Sequence, residues 1–133
     1  CSSDLSSGGI TLDFAITSGA VGLSYTSKMQ TLRIEAGSSD GTSQGKPKRI
    51  HDVTLRFHET VGAEVGTDAA NADRIFFRDS SMDMDTAVPL FTGDKEIEFP
   101  GGFEEGDRIY VQQAQPLPMT VLALYPRMNT HDV

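Results

Sequence analysis

Apolar and polar residues alternate along "IHDVTLRFHET", residues 50–60, more cleanly than anywhere else in the chain. Val53, Leu55 and Phe57 fall on one side, with Asp52, Thr54, Arg56 and His58 on the other. This is the period-two pattern of a strand with one buried face. His51 shares the inner parity with Val53. "GITLDFAIT" alternates in the same way, with Ile10, Leu12 and Phe14 together, and "KEIEF" turns Ile97 and Phe99 inward. "RIYVQQ" sets Ile109 and Val111 on one side, and "RIFFR" reads as a further short strand. "VGLSYTSKMQTLRIEA" predicts one long strand or two short ones. "MTVLALY", residues 119–125, is apolar almost throughout, which predicts a strand covered on both faces.

Between these runs lie turn-rich stretches: "GSSDGTSQGKPKR", "VGAEVGTDAANAD", "DSSMDMDTAVP" and "PGGFEEGD". The second has some helical tolerance around Asp68 to Asp73 but no helical periodicity. Short strands punctuated by turns predict an all-β fold, a β-sandwich or distorted barrel of about seven short strands. Residues 1–9 are small and polar and read as a flexible lead-in. Residues 10–127 form the single domain, and 128–133 a tail.

"QPLPMTVLALYPR" places two prolines around Leu117 just before that apolar run. Each proline lacks an amide donor, fixes its own φ and pushes the preceding residue to extended geometry. Proline is excluded from a sheet interior, so "QPLP" belongs at an edge or outside the ladder, as a stiff lead that aims Met119–Tyr125 into the sheet. Pro126 is expected to end the pairing.

The 19 acidic residues outnumber the 11 basic ones, for a net charge of −8, which argues against a dedicated nucleic-acid or anionic-membrane binder. No apolar run is long enough to span a bilayer as a helix. Cys1 is the only cysteine, so there is no internal disulfide framework and no paired-cysteine zinc site. A chain that starts at Cys1 rather than Met reads as a cut precursor or a piece of a longer protein. A lipid-anchored amino terminus is the lesser alternative.

Chemistry is sparse. Asp79, Asp83 and Asp85 in "DSSMDMD" are oxygen ligands for a hard cation, but the glycine and distal glutamate of a calcium-binding loop are missing. His51, His58 and His131 lack a metal-ligand spacing. No "GxSxG" elbow marks a nucleophile. No catalytic residue, metal or cofactor is therefore expected. From Asp79 to Asp107 the acids, Asp94, Glu96, Glu98, Glu104 and Glu105 among them, are set against only Arg78 and Lys95. Lys46, Lys48 and Arg49 form the one basic cluster, suited to meeting that acidic stretch on a neighbouring copy.

Three blocks, "GLSYTSKMQTL", "KPKRIHDVTLRFHET" and "QPLPMTVLALYP", with "GGITLDF" ahead of them, resemble the C-terminal part of tail nozzle proteins of short-tailed phages. These are also called tail tubular protein B or packaged-DNA stabilisation proteins. The chain departs from the usual pattern at Ser24, where the family carries proline, and at Ala114. The resemblance implies a non-enzymatic module of a longer virion tail protein. That protein would form a homo-oligomeric, sixfold ring at the distal tail, beside adaptor and fibre or needle proteins. DNA passes through such a ring without specific binding, and no membrane anchor is implied. Subunit contacts are expected from Lys46, Lys48, Arg49, Pro116, Leu117 and Pro118. The rival readings are a carbohydrate-binding or adhesion sandwich, which would gather Tyr25, Tyr110 and phenylalanines around a shallow groove, and a small hydrolase on a β-scaffold.

Overall fold

The computed structural model describes residues 15–18, 23, 25–35, 37–38, 41–42, 45–99, 101–102 and 108–130. The expected strand over residues 10–14, the lead-in, most of the turn at 100–107 and His131 lie outside these. Among the described residues there is no helix. Seven of the described strands form two antiparallel sheets that, among these residues, stay separate rather than closing into a barrel. One sheet has the order β1-β8-β5-β6: β1 (Ser27–Gln30), β8 (Tyr110–Gln113), β5 (Glu64–Gly66) and β6 (Ala72–Arg74). The other has the order β7-β4-β9: β7 (Phe91–Glu98), β4 (Lys48–Thr60) and β9 (Val121–Thr130). A small ribbon pairs β2 (Gly37–Ser38) with β3 (Gly41–Thr42).

β4 is the long central strand, and Val53, Leu55 and Phe57 on its inner side are fully buried, as their alternation predicts. They share one apolar core with Val65 and Val111 of the other sheet and with Ile75, Phe77, Phe99 and Ile109. Phe57 meets Phe77 edge-to-face at 5.4 Å between ring centroids, and Phe77 meets Phe91 at 5.7 Å. Each fully buried side chain of this size contributes about 1.5–3 kcal/mol through apolar burial.

Three register shifts bend this sheet. Ile50 pairs with Met128 but Asp52 with Arg127, so His51 is an extra residue in β4. The shift lets Ile50 and Val53 both face the core, and it takes His51 off the inner parity expected for it. The His51 side chain is 38% exposed, while its Nδ1 is enclosed without a hydrogen-bond partner. Leu122 is the extra residue of β9, between the Arg56–Ala123 and Phe57–Val121 pairs. A third shift falls between Phe57 and Thr60, where Glu59 adopts φ 46°. A left-handed glutamate costs about 1–2 kcal/mol; the Glu59 N–H is held by Thr92 Oγ1 at 3.0 Å.

β9 corrects two expectations. Among the described residues it pairs only with β4 and so forms a sheet edge, leaving Leu122 60% and Tyr125 47% exposed rather than covered on both faces. Pairing also runs through Pro126, opposite Val53, to Thr130, opposite Lys48. An edge strand tolerates proline where its nitrogen lies on the unpaired side. Met128–Thr130 thus belong to the sheet and not to a tail.

β5 was not expected, because "AEVG" offers a single large apolar residue, Val65, to mark it. Its hairpin with β6 is closed by Asp68, whose carboxylate accepts from Ala70 N–H at 2.7 Å and Asn71 N–H at 3.0 Å. A side chain at Gly66 would overlap Asn71 O. Of "RIFFR", only Arg74 enters the ladder. Ile75 donates once more to Ala63 O at 2.9 Å, and the segment then continues extended, with Ile75 and Phe77 buried and Phe76 turned out.

Phe57→Ala should lower the unfolding free energy by about 3–5 kcal/mol, whereas Leu122→Ala should change it by less than about 0.5 kcal/mol. Urea denaturation of the two variants checks this; equal costs would contradict the placement of β9 at an edge.

Candidate functional site

The "QPLP" elbow is anchored at both ends by buried polar groups. Gln113, 6% exposed, donates from Nε2 to Gly62 O at 2.6 Å and accepts from Gln115 N–H at 3.1 Å. A Cβ at Gly62 would stand 2.5 Å from that amide nitrogen, so the close approach needs glycine. Leu117 N–H donates to Gln115 O at 2.8 Å, a tight turn around Pro116. Val61 N–H donates to Pro118 O at 3.1 Å, and His58 N–H to Thr120 O at 3.0 Å. The fully buried Thr60 hydroxyl accepts from Thr120 N–H at 2.9 Å, with His58 O at 3.1 Å and Thr120 O at 3.3 Å within donating range. The elbow is therefore held against the end of β4, just ahead of β9, as its prolines predict.

Leu117, 36% exposed at the tip of the elbow, lies between two clefts. One, of about 350 Å³, is lined by Tyr25, Ser27, Gln115, Pro116, Pro118 and Met119. The other, of about 500 Å³, lies among Arg74, Phe76, Arg78, Ala87 and Val88. Tyr25 is 77% and Phe76 76% exposed. An apolar strip thus runs from Tyr25 over the prolines and Leu117 to Phe76. Continuous exposed apolar surface with aromatic anchors is characteristic of contact sites. Of the residues expected at subunit contacts, Pro116, Leu117 and Pro118 fall together on this strip.

The basic cluster does not hold together. Lys48 is 4% exposed, donating to Glu35 Oε2 at 2.7 Å and to Ile34 O at 3.0 Å. Its ammonium is committed within the chain, because successive side chains of β4 point to opposite faces. Arg49 is exposed beside a wide depression of about 670 Å³ shared with Asp73 and Glu98. Lys46 is half-buried in the turn before β4.

The acidic stretch is partly neutralised by arginines from other strands. Arg56 forks onto Asp94 at 2.7 and 2.8 Å and stacks over Tyr125 at 5.4 Å, and Arg127 reaches Glu96 at 3.1 Å. Asp79 accepts from the Ser81 hydroxyl at 2.5 Å and the Ser81 N–H at 2.8 Å, and so shapes its own loop. Lys95 sits 4.9 Å from the Phe91 ring centroid and donates to Phe76 O at 3.1 Å. Among the described residues no three His, Cys, Asp or Glu side chains gather as metal ligands. Tyr110 is 8% exposed and donates to Gln112 Oε1 at 3.0 Å, while Tyr25 stands in the open at the elbow cleft.

Phe76 was not singled out by the sequence, although "RIFFR" carries the signal. If Ile75 and Phe77 face inward, the intervening phenylalanine must face out. Tyr25 and Leu117 are far apart along the chain, and no local pattern joins them. No protein-family model matches the chain, and no curated protein matches it.

Lys48→Glu should destabilise the domain by about 3–5 kcal/mol, since it sets a buried carboxylate beside Glu35. Arg49→Glu should cost less than about 0.5 kcal/mol. Chemical denaturation separates the two; a tolerated Lys48→Glu would refute the internal role of that ammonium.

Hydrogen bonds lower the pKa of three carboxyls: Asp94 through Arg56, Asp79 through Ser81 and Asp68 through the Ala70 amide. A lowered folded-state pKa contributes stability that is present at neutral pH and lost as pH falls through that value. The melting temperature should therefore drop below the ordinary carboxylate range, and Asp94→Asn should flatten that drop. An unchanged pH profile in Asp94→Asn would count against the Arg56–Asp94 pair as a contributor.

Proposed function

We propose that this domain is a non-catalytic structural module of a phage tail nozzle, one copy in a homo-oligomeric ring through which DNA leaves the virion. The observation that carries the reading is the apolar strip from Tyr25 across Pro116, Leu117 and Pro118 to Phe76. Its prolines and its buried Thr60 and Gln113 anchors hold it in shape before any contact forms, which lowers the ordering entropy of association. Tyr25 and the elbow lie in two of the sequence blocks that carry the resemblance to tail nozzle proteins, while Phe76 lies outside them. The surplus of acidic residues supports the same reading, because like charge keeps a passing phosphate backbone from sticking to a channel wall. The separation of Tyr25 from the buried Tyr110 works against a sugar platform.

Electron microscopy and light scattering on the longest form of the protein that carries this domain test the proposal. Rings are expected, with Leu117→Asp and Tyr25→Asp cutting the assembled fraction about tenfold, as loss of apolar anchors does, while the melting temperature of the domain stays unchanged. A protein that remains monomeric, or one that binds glycans through a site these substitutions leave intact, would overturn it.

A further inference from the structure

From the end of β6 the chain runs extended through Arg74, Ile75, Phe76, Phe77 and Arg78, and alternation sorts these residues. Ile75 and Phe77 turn into the core, while Arg74 and Phe76 are exposed and Arg78 is half-buried. Ile75 N–H on Ala63 O at 2.9 Å and Lys95 on Phe76 O at 3.1 Å hold the segment in place. Arg74, Phe76 and Arg78 therefore stand in a row of cation, aromatic and cation, with about 6.5 Å between successive members. All three line the cleft of about 500 Å³ whose other walls include Val61, Val88 and Leu117. No carboxylate is among its described lining residues.

Both guanidiniums meet only neutral acceptors. Arg74 donates to Gln115 Oε1 at 2.6 Å, and Arg78 donates to Asp83 O and Thr86 O. Glu64, directly across the ladder from Arg74, accepts from Gln112 Nε2 at 2.6 Å instead. Among the described residues neither arginine has an ion pair. In a chain of net charge −8, positive charge goes unanswered at this cleft. A guanidinium set against apolar walls attracts a carboxylate more strongly than one in open water does. Phe76, between the two, offers its ring to an apolar side chain.

The occupant that fits is an extended segment with an acid, an apolar residue and an acid at alternate positions, since that spacing repeats the row it would cover. This chain holds no such segment. Its acids that stand four positions apart are Glu64 and Asp68, Asp79 and Asp83, and Asp94 and Glu98, whose midpoints are Gly66, Ser81 and Glu96. We propose that the Phe76 cleft docks an extended segment of a different protein, with alternate carboxylates on Arg74 and Arg78 and the apolar side chain between them on Phe76. The contact goes beyond the assembly reading above and does not depend on it. It gives the Phe76 end of the strip a partner other than a copy.

Fluorescence anisotropy on the full chain tests this with a labelled heptapeptide in which threonines alternate with glutamate, leucine and glutamate. One control peptide replaces both glutamates with lysine, and another sets the two glutamates side by side. The alternating peptide should bind about tenfold tighter than either control, as charge-complementary pairs do. Phe76→Ala should weaken it about tenfold. Arg74→Glu should abolish the preference, and exchanging one of the peptide's glutamates for lysine, but not the other, should restore it. Both substituted side chains are exposed, so the melting temperature should stay unchanged; Arg78 is kept because it holds the loop that follows. Equal affinity for the three peptides, or binding that does not saturate by about 1 mM, would overturn the proposal. So would light scattering in which the chain self-associates and Phe76→Ala alone abolishes it, since a second copy would then be the occupant.

Discussion

Strand β4 has to bury Val53, Leu55 and Phe57 on one face while keeping its backbone paired with β7 and β9 on both sides. A thirteen-residue strand cannot do this without local adjustment, because sheets twist and the second sheet covers only part of its length. The three shifts in register around β4 and β9 make that adjustment. The one at His51 brings Ile50 into the core three residues before Val53 instead of an even number. The one at Glu59 turns the end of β4 so that Thr60 meets Thr120. From that meeting follow the position of the elbow and the start of β9.

The elbow joins the core to the surface. Its anchors are buried polar groups whose hydrogen bonds are satisfied inside the protein, and its exposed side carries Pro116, Leu117 and Pro118. Moving the anchors would leave a buried amide or hydroxyl without a partner, which costs more than the bond itself contributes. Leu117 and its flanking prolines are thereby fixed relative to the sandwich. A surface of this kind loses little conformational freedom when it is covered, which suits contact better than chemistry.

Charge follows a different logic. The acidic row along β7 would repel itself if left alone, but Arg56 and Arg127 reach it from β4 and β9. Exposed pairs of this sort contribute little each, yet they remove a penalty that the local sequence imposes. Among the described residues Glu98 of β7 keeps no cationic partner, nor do Asp83 and Asp85 on the loop before β7, which flank an exposed methionine.

Alternation alone was enough to identify the all-β fold, the inner face of β4 and the inward positions Ile97, Phe99, Ile109 and Val111, because the period of side chains along a strand is a local property. The prolines of "QPLP" marked the elbow for the same reason: their limits on φ and hydrogen bonding act on adjacent residues. Lys48, Met128 and the apolar run of β9 were misread, since whether a strand is central or at an edge depends on partners distant in sequence. β5 escaped notice because Val65 alone carries its pattern, and its pairing with β8 supplies the rest. The cleft that unites Tyr25 with Leu117 was decided only by tertiary structure. Its walls come from segments at either end of the chain, and what brings them together is the pairing of β1 with β8, whose end leads directly into the elbow.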